Sequence, residues 1–180
     1  ISIDEAFLDV SDLAEPASEM AITLQSTIRE ALQLPCSLGV ASNKLVAKIA
    51  NDVGKSRVRT GLPPNSITVV TPGEEASFLA PLPVRALWGV GPKTAERLAS
   101  LDIHTIGEIA AYPEHELAHH FGKHGHDLKR RARGIDQRPV STERVRKSVS
   151  KEVTFSKDIA DGDELRRTVR RLAESVGRTL

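Results

Sequence analysis

A change in residue pattern near Thr71 constrains the fold of this 180-residue chain more than any other feature. Before Thr71, short strand-like stretches alternate with longer stretches of helical periodicity. The predicted strands cover residues 1–10, 36–41 and 67–70, and the predicted helices cover 16–33 and 43–53. This alternation is typical of a sheet with helices packed against it. No strand-like run follows until about Arg138, so we predict an α+β chain in which a mixed sheet with helices precedes an all-helical part.

The stretch after Thr71 predicts a module of short helices. They cover residues 73–79, 83–88, 92–100, 105–111, 113–121 and 125–133. A charged segment then predicts a linker, which is followed by a strand at 148–155 and a basic helix at 163–179. The pattern as a whole predicts three parts joined by that linker. Their limits are 1–70, 71–138 and 148–180, with the linker at 139–147.

The charges are distributed unevenly along the chain, although they nearly cancel to a formal +1. Residues 1–38 carry seven acids and one base, whereas residues 121–151 carry ten bases and three acids. An acidic head and basic middle fit a protein that handles phosphates, because the acids can hold a metal and the bases a polyanion. Solvated surface charges are the alternative.

Cysteine content and hydropathy bear on the cellular compartment of the chain. Its single cysteine, Cys36, excludes a disulfide framework and favours a reducing compartment. No apolar run approaches the roughly 20 residues of a membrane span, and no signal-peptide pattern is present. We therefore predict a soluble, cytoplasmic protein.

Two adjacent carboxylates, Asp4 and Glu5, stand inside an apolar run. A buried carboxylate is costly unless it is paired, and hard oxygen ligands suit magnesium or manganese. In a regular strand, neighbouring side chains point to opposite faces, so the pair could share one ion only at a turn or bulge. The alternative is a turn with two exposed acids.

Three lysines lie on or just after the helix predicted at 43–53. Ser42 or Asn43 could cap this helix, and Lys44, Lys48 and Lys55 are spaced to share one face. Ammonium groups in such a row suit a triphosphate or a nucleic-acid backbone. The nearby Gly-Lys-Ser run is not a Walker A motif, because that motif requires glycine where Ile49 stands. A solvated helix face is the alternative.

A glycine-rich turn between two predicted helices is the strongest indication of nucleic-acid binding. Gly89, Val90 and Gly91 form this turn, and Pro92 starts the next helix. Glycines allow a phosphate to approach the backbone, and the helix N-terminus offers free N–H groups. Lys93 and Thr94 could add side-chain contacts. The pattern indicates a helix–hairpin–helix that binds DNA phosphates regardless of sequence, with a plain structural turn as the alternative.

The end of that second helix departs from the expected pattern. Asp102 stands where a glycine would ordinarily terminate the helix.

Two further segments have weaker patterns. His115 and His119 flank Glu116 as in a zinc-protease helix, but Gly125 stands where the extended template requires a third histidine. We therefore reject a zinc site. The run 121–136 joins a glycine-rich turn to a basic helix, and it predicts either a second backbone-binding element or a solvated face.

The order of these motifs is more specific than any one of them. Ser-Ile-Asp-Glu-Ala-Phe-Leu-Asp, Gly-Val-Ala-Ser-Asn-Lys with Ala-Lys-Ile-Ala and Gly-Lys, Leu-Trp-Gly-Val-Gly-Pro-Lys-Thr, and Ala-Arg-Gly-Ile-Asp follow one another along the chain. This order closely resembles the Y-family translesion DNA polymerases, and the bacterial DinB type looks nearest. The resemblance implies an error-prone, template-dependent polymerase that acts in DNA repair by two-metal nucleotidyl transfer.

The resemblance also implies an architecture. Residues 1–70 would be part of the catalytic palm, 71–138 the helical thumb with its helix–hairpin–helix, and 148–180 the start of an α/β little finger. The family's first metal-binding aspartate and its fingers would lie upstream of Ile1. We therefore expect the chain by itself to be inactive.

Site residues follow from the same resemblance. Asp4 and Glu5 would be catalytic carboxylates and ligands of two magnesium ions, and Lys55 would contact the phosphates of the incoming dNTP. The residues implied to lie at the DNA are Lys48, Gly89, Val90, Gly91, Lys93 and Thr94. The implied partners are primer–template DNA, dNTP and a sliding clamp bound through parts beyond this chain. A non-catalytic helix–hairpin–helix module is the alternative.

Overall fold

The computed structural model describes residues 4–58, 65–142 and 148–179. These residues form two compact units, Ile1–Val140 and Ser141–Leu180. The described part is rich in helix and contains one small parallel sheet.

The sheet of the first unit consists of β1, Leu38–Val40, and β2, Ile67–Val69, paired in parallel with Leu38 opposite Ile67. Two helices pack against it, α1 (Ala17–Leu32) and α2 (Lys44–Arg57). Asn43 caps α2, because its side chain accepts a hydrogen bond from the Val46 N–H at 3.1 Å. α2 lies so close to β1 that a Cβ on Gly39 would stand 1.9 Å from the Ala47 carbonyl oxygen.

Short helices form the rest of this unit. They are α3 (Glu75–Leu79), a 3-10 turn (Val84–Ala86), α4 (Pro92–Ala99), α5 (Ile106–Ala111), α6 (Glu114–Phe121) and α7 (Lys123–Ala132). Local signals set their starts: Pro92 is the first residue of α4, and Thr105 with Glu108 forms a capping box on α5. The buried Lys129 of α7 donates a hydrogen bond to the Tyr112 carbonyl at the end of α5.

One hydrophobic cluster joins the sheet layer to the short helices. Leu45 and Ile49 of α2 lie in the same buried cluster as Leu79, Leu98 and Leu128 of the helical part. The two parts therefore share a core, although their patterns in the sequence differ. The prediction of a domain limit at residue 70 stays a prediction.

The second unit contains α8, Gly162–Gly177. Asp161 caps it by accepting hydrogen bonds from the N–H groups of Asp163 and Glu164. None of its residues is buried within the described structure. Across the described residues, no helix has both the length and the apolar character that crossing a membrane requires.

Two predicted strands are wrong where the structure describes them. Residues 5–10 and 148–155 contain no strand, and Asp4 lies in a turn. A strand exists only through hydrogen bonds to a partner, and no other described segment pairs with either stretch. An alternating pattern alone is therefore insufficient.

Other predicted limits shift by a few residues. The helix predicted at 43–53 continues to Arg57 and so includes Lys55, and the helix predicted at 125–133 begins at Lys123. The stretch 83–88 forms only a 3-10 turn within its limits. The turn predicted at 61–65 lies outside the described residues except for Asn65.

Candidate functional site

The acid pair lies in irregular backbone that a helix of the sheet layer holds in place. Asp4 is exposed, and Glu5 is partly buried. The Lys48 ammonium of α2 donates hydrogen bonds to both carboxylate oxygens of Glu5, at 3.0 and 3.1 Å. It also lies 3.6 Å from an oxygen of Asp52. Because Asp4 occupies a turn, the alternation of a regular strand does not apply to this pair.

Lys48 is held as a cation by these neighbours. Partial burial acts to lower the pKa of Lys48, but the hydrogen bond with Glu5 and the charges of Asp52 and Glu5 outweigh it. The pKa therefore lies above its ordinary value. The side chains of Lys48 and Glu5 are 19% and 20% exposed, so this ion pair is better shielded from water than a surface pair.

The acid pair fits part of a magnesium site. Magnesium is commonly held by one or two carboxylates together with waters and substrate phosphates. Asp4 and Glu5 provide two such groups on adjacent residues, one of them at the surface. Among the described residues, no group of three or more His, Cys, Asp or Glu side chains converges to complete a ligand set.

The glycine-rich hairpin forms the turn that the sequence predicts, although a 3-10 turn rather than an α-helix precedes it. Gly89 has φ +98°, which favours glycine, and a Cβ there would lie 2.6 Å from a guanidinium nitrogen of Arg131. Val90 is buried in the core. Gly91 caps α4 with φ −83°.

The surroundings of Gly91 differ from those of Gly89, because the space beside Gly91 is open rather than occupied by protein atoms. Its φ is ordinary for any residue, and a Cβ at this position would meet no heavy atom within 4 Å. Neither the backbone nor the packing therefore requires glycine here. The missing side chain leaves the first turn of α4 open, beside the exposed Lys93 and the half-buried Thr94. This is the geometry in which a phosphate can reach backbone N–H groups.

The three lysines of α2 have different neighbours. Lys44 donates a hydrogen bond to the Pro139 carbonyl at 2.6 Å, and Lys48 contacts Glu5. Lys55 is exposed in the last turn of α2. The structure thus does not present the three as one row of ammonium groups, and Lys55 is the exposed member. The Gly-Lys-Ser run lies inside α2, where Gly54 packs against Ser66 and Thr68.

Sequence reasoning missed Asp136, an acid whose side chain is almost entirely enclosed. The Arg138 guanidinium donates hydrogen bonds to both oxygens of Asp136, at 2.7 and 2.9 Å, and the Asp136 side chain is only 5% exposed. These hydrogen bonds lower the pKa of Asp136 below its usual value and raise that of Arg138. Asp136 ends the Ala-Arg-Gly-Ile-Asp motif, which was the signal available in the sequence.

The histidines of α6 lie near the surface. The His115 imidazole is 82% exposed and lies 3.5 Å from Glu116, while the rings of His119 and His120 meet edge to face at 5.3 Å. His126 of α7 shares a 2.7 Å hydrogen bond with Glu114, which lowers the pKa of that carboxyl.

Comparison with known proteins identifies the family. The impB/mucB/samB family model matches residues 1–52, the IMS family HHH motif matches 72–103, and the impB/mucB/samB family C-terminal domain matches 146–180. DNA polymerase IV of Bacillus anthracis is 41% identical over 185 residues, which cover 100% of this chain and 43% of that protein. The chain belongs to the DinB-type Y family of DNA polymerases. This confirms the resemblance drawn from the motifs.

Solved structures of the Y family share the fold of this chain. DinB from Sulfolobus solfataricus is 31% identical with a TM-score of 0.65, covering 77% of this chain and 40% of the other. The Y-family DNA polymerase chimera Dbh-Dpo4(243-245)-Dbh is 26% identical with a TM-score of 0.75, covering 91% of this chain and 45% of the other. The chain spans less than half the length of these relatives.

Proposed function

We propose that this chain is a section of an error-prone, template-dependent DNA polymerase that acts in translesion synthesis and DNA repair. The observation that carries the proposal is the hairpin at Gly91, which is open without any structural need for glycine. The acid pair lies in the same compact unit as this hairpin. A DNA polymerase needs both a hold on the DNA backbone and carboxylates for metal, and this unit carries both kinds of group.

The proposed parts follow the sequence prediction. Residues 1–70 belong to the palm, 71–138 to the thumb and 148–180 to the little finger, with 139–147 as linker. The separate matches of three family models to the beginning, the hairpin and the end of the chain support this division. The break between compact units after Val140 supports a linker near that point.

The proposed chemistry assigns each site residue a task. Asp4 and Glu5 hold magnesium, which when bound would clamp the attacking and leaving oxygens of nucleotidyl transfer. Lys48 holds the Glu5 carboxylate in place and lies near DNA, while the exposed Lys55 contacts the dNTP phosphates. The hairpin holds the DNA backbone through the N–H groups at the start of α4, with Lys93 and Thr94 beside them.

The chain by itself is proposed to add no nucleotide. Two carboxylates are fewer oxygen ligands than two magnesium ions need, and the described residues bring no third acid to them. A sliding clamp is a further proposed partner of the whole protein. We place the whole protein in the cytoplasm.

Primer extension tests the proposal. The gene product that carries this chain should extend a primer on a template with magnesium, whereas Glu5→Gln should lose about a hundredfold or more in rate. The affinity for duplex DNA should change less than about twofold, because Glu5 is proposed to bind metal rather than DNA phosphates. A wild-type protein that binds the duplex and adds no nucleotide would refute the proposed polymerase function.

A non-catalytic DNA-binding module is the second candidate. The engagement of Glu5 by Lys48 favours it, because that carboxylate already has a cation partner. A module of this kind would bind duplex DNA without extension, and Glu5→Gln would leave its behaviour unchanged. The same experiment therefore separates the two candidates.

A further inference from the structure

Four side chains form a continuous stack between the acid pair and the hairpin. The Arg138 guanidinium lies 5.0 Å from the centroid of the Trp88 ring system. Trp88 meets the ring of Phe7 at 6.2 Å between centroids, tilted by 38°. The Lys44 ammonium lies 6.0 Å from the centroid of the Phe7 ring. Cations placed over aromatic faces are attracted by the ring quadrupole, and tilted ring pairs at this distance also attract.

Both ends of the stack are fixed to one short segment. The Arg138 guanidinium is held by its two hydrogen bonds to Asp136, and the Lys44 ammonium donates a hydrogen bond to the carbonyl of Pro139. The segment 136–139 thus closes the stack at each end. The stack joins the N-terminal segment, the start of α2, the hairpin and the end of the helical part.

The two aromatic rings connect the two parts of the proposed site. Phe7 lies two residues after Glu5, and Trp88 immediately precedes Gly89. The Trp88 carbonyl also accepts a weak 3.5 Å hydrogen bond from Arg131. The segment around Glu5 has no regular secondary structure to fix it. Its described attachments to the rest of the unit are therefore side-chain contacts such as Glu5–Lys48 and Phe7–Trp88.

We propose that Phe7 and Trp88 are positioning residues that hold the acid pair at a fixed place relative to the DNA-binding hairpin. This proposal rests on the proposed polymerase function. DNA bound at the hairpin carries the primer end at a set distance, so the carboxylates must be set with respect to the same frame. A small misplacement of catalytic groups can reduce the rate of a reaction a hundredfold.

Nucleotide addition by the gene product that carries this chain tests the proposal. Phe7→Leu keeps an apolar side chain but removes the ring, and it should lower kcat by about tenfold or more. The dissociation constant for primer–template DNA should stay within about twofold, because the hairpin is untouched. Phe7→Tyr keeps the ring and should restore kcat to within about threefold. A variant Phe7→Leu that weakens DNA binding and keeps kcat would overturn the proposal.

A second measurement uses the chain alone and does not depend on polymerase activity. Trp88 is the single tryptophan, so its emission reports on the stack directly. Phe7→Leu should shift the emission to longer wavelength by exposing the indole, and Phe7→Tyr should leave it near the wild-type position. Unchanged emission in Phe7→Leu would show that the rings do not contact, which overturns the proposal. If the wild-type gene product adds no nucleotide, the proposed function fails, and this measurement still decides whether the stack exists.

Cleavage by chymotrypsin tests the same ring contact through substitution of Trp88. Trp88→Leu should speed cleavage after Phe7 several-fold relative to cleavage after Phe155 of the second unit, whereas Trp88→Phe should not. Equal relative cleavage in Trp88→Leu and wild type would contradict the proposal. If Trp88→Leu unfolds the unit, cleavage after Phe121 rises as well, and the emission of Phe7→Leu then decides.

Discussion

At the scale of single residues, Asp102 shows how far backbone requirements can be predicted. The sequence predicts a helix end that prefers glycine, and the structure places Asp102 at φ +60° just after α4. Asp102 therefore adopts the left-handed conformation that a glycine would ordinarily provide at this helix end, although it carries a side chain. Asp tolerates this conformation better than most residues, because its short polar group bonds locally.

Substitutions at Asp102 should rank by their tolerance of positive φ. Asp102→Ala should destabilise the first unit by about 1 kcal/mol relative to Asp102→Gly, since alanine pays the steric cost of the left-handed region without a local hydrogen bond. Urea unfolding followed by Trp88 fluorescence measures the difference. An alanine variant as stable as the glycine variant would contradict this account of the turn.

The Asp136 carboxylate should contribute to stability in a pH-dependent way. Its pKa is lowered by the hydrogen bonds from Arg138, so its contribution is complete above the ordinary value of 3.8 and is lost as pH falls through the lower folded-state pKa. As pH falls from 5, the free energy of unfolding of the wild type should therefore decrease more than that of Asp136→Asn, whose side chain does not titrate. Parallel acid-unfolding curves for the two proteins would exclude this role.

At the scale of elements, helices were easier to predict than strands for a physical reason. α2 and α4 carry their own signals, which are the cap at Asn43 and the proline at position 92. The wrong strand at 5–10 had the right alternation, but a strand is completed by a neighbour elsewhere in the chain. The limits of α7 were also missed, because its first turn, with Lys123 and His124, lacks apolar residues.

The contact of α6 with α7 depends on a glycine. A Cβ on Gly125 would lie 2.2 Å from the Leu117 carbonyl oxygen, which is rigid backbone. Gly125→Ala should destabilise the first unit by about 1–3 kcal/mol through overpacking, despite the better helix propensity of alanine. Gly177→Ala in α8, where a Cβ meets nothing within 4 Å, is the matched control and should be harmless. Equal effects of the two substitutions on urea unfolding would contradict the packing argument.

At the scale of the whole molecule, the parts of the candidate site differ in how well the sequence predicts them. The hairpin is formed by residues that are neighbours in the sequence, so its glycines and Pro92 predict it directly. The Glu5–Lys48 pair joins residues 43 positions apart, and the Trp88–Arg138 contact is also long-range. Such contacts depend on how the elements pack, which residue patterns do not specify. The family resemblance, which rests on motif order, is what linked these distant segments.

The basic residues of the chain should make its affinity for DNA depend on salt concentration. The affinity for duplex DNA should fall linearly on logarithmic axes as salt increases, because lysines and arginines displace counterions from phosphates. Lys93→Gln should reduce the slope by about one unit if Lys93 contacts a single phosphate. Fluorescence anisotropy with a labelled duplex measures both slopes. A salt-independent affinity would contradict binding through the phosphate backbone.

The most direct test of the central claim is duplex binding by Gly91→Ser. Serine is at least as good a helix cap as glycine, and a Cβ meets nothing in the protein, so stability in urea should be equal or slightly higher. A side chain there would nevertheless stand where a phosphate approaches α4. We therefore expect duplex affinity to fall about tenfold or more at constant salt, which corresponds to roughly 1.4 kcal/mol. A Gly91→Ser protein that is folded and binds duplex DNA as tightly as wild type would contradict the account.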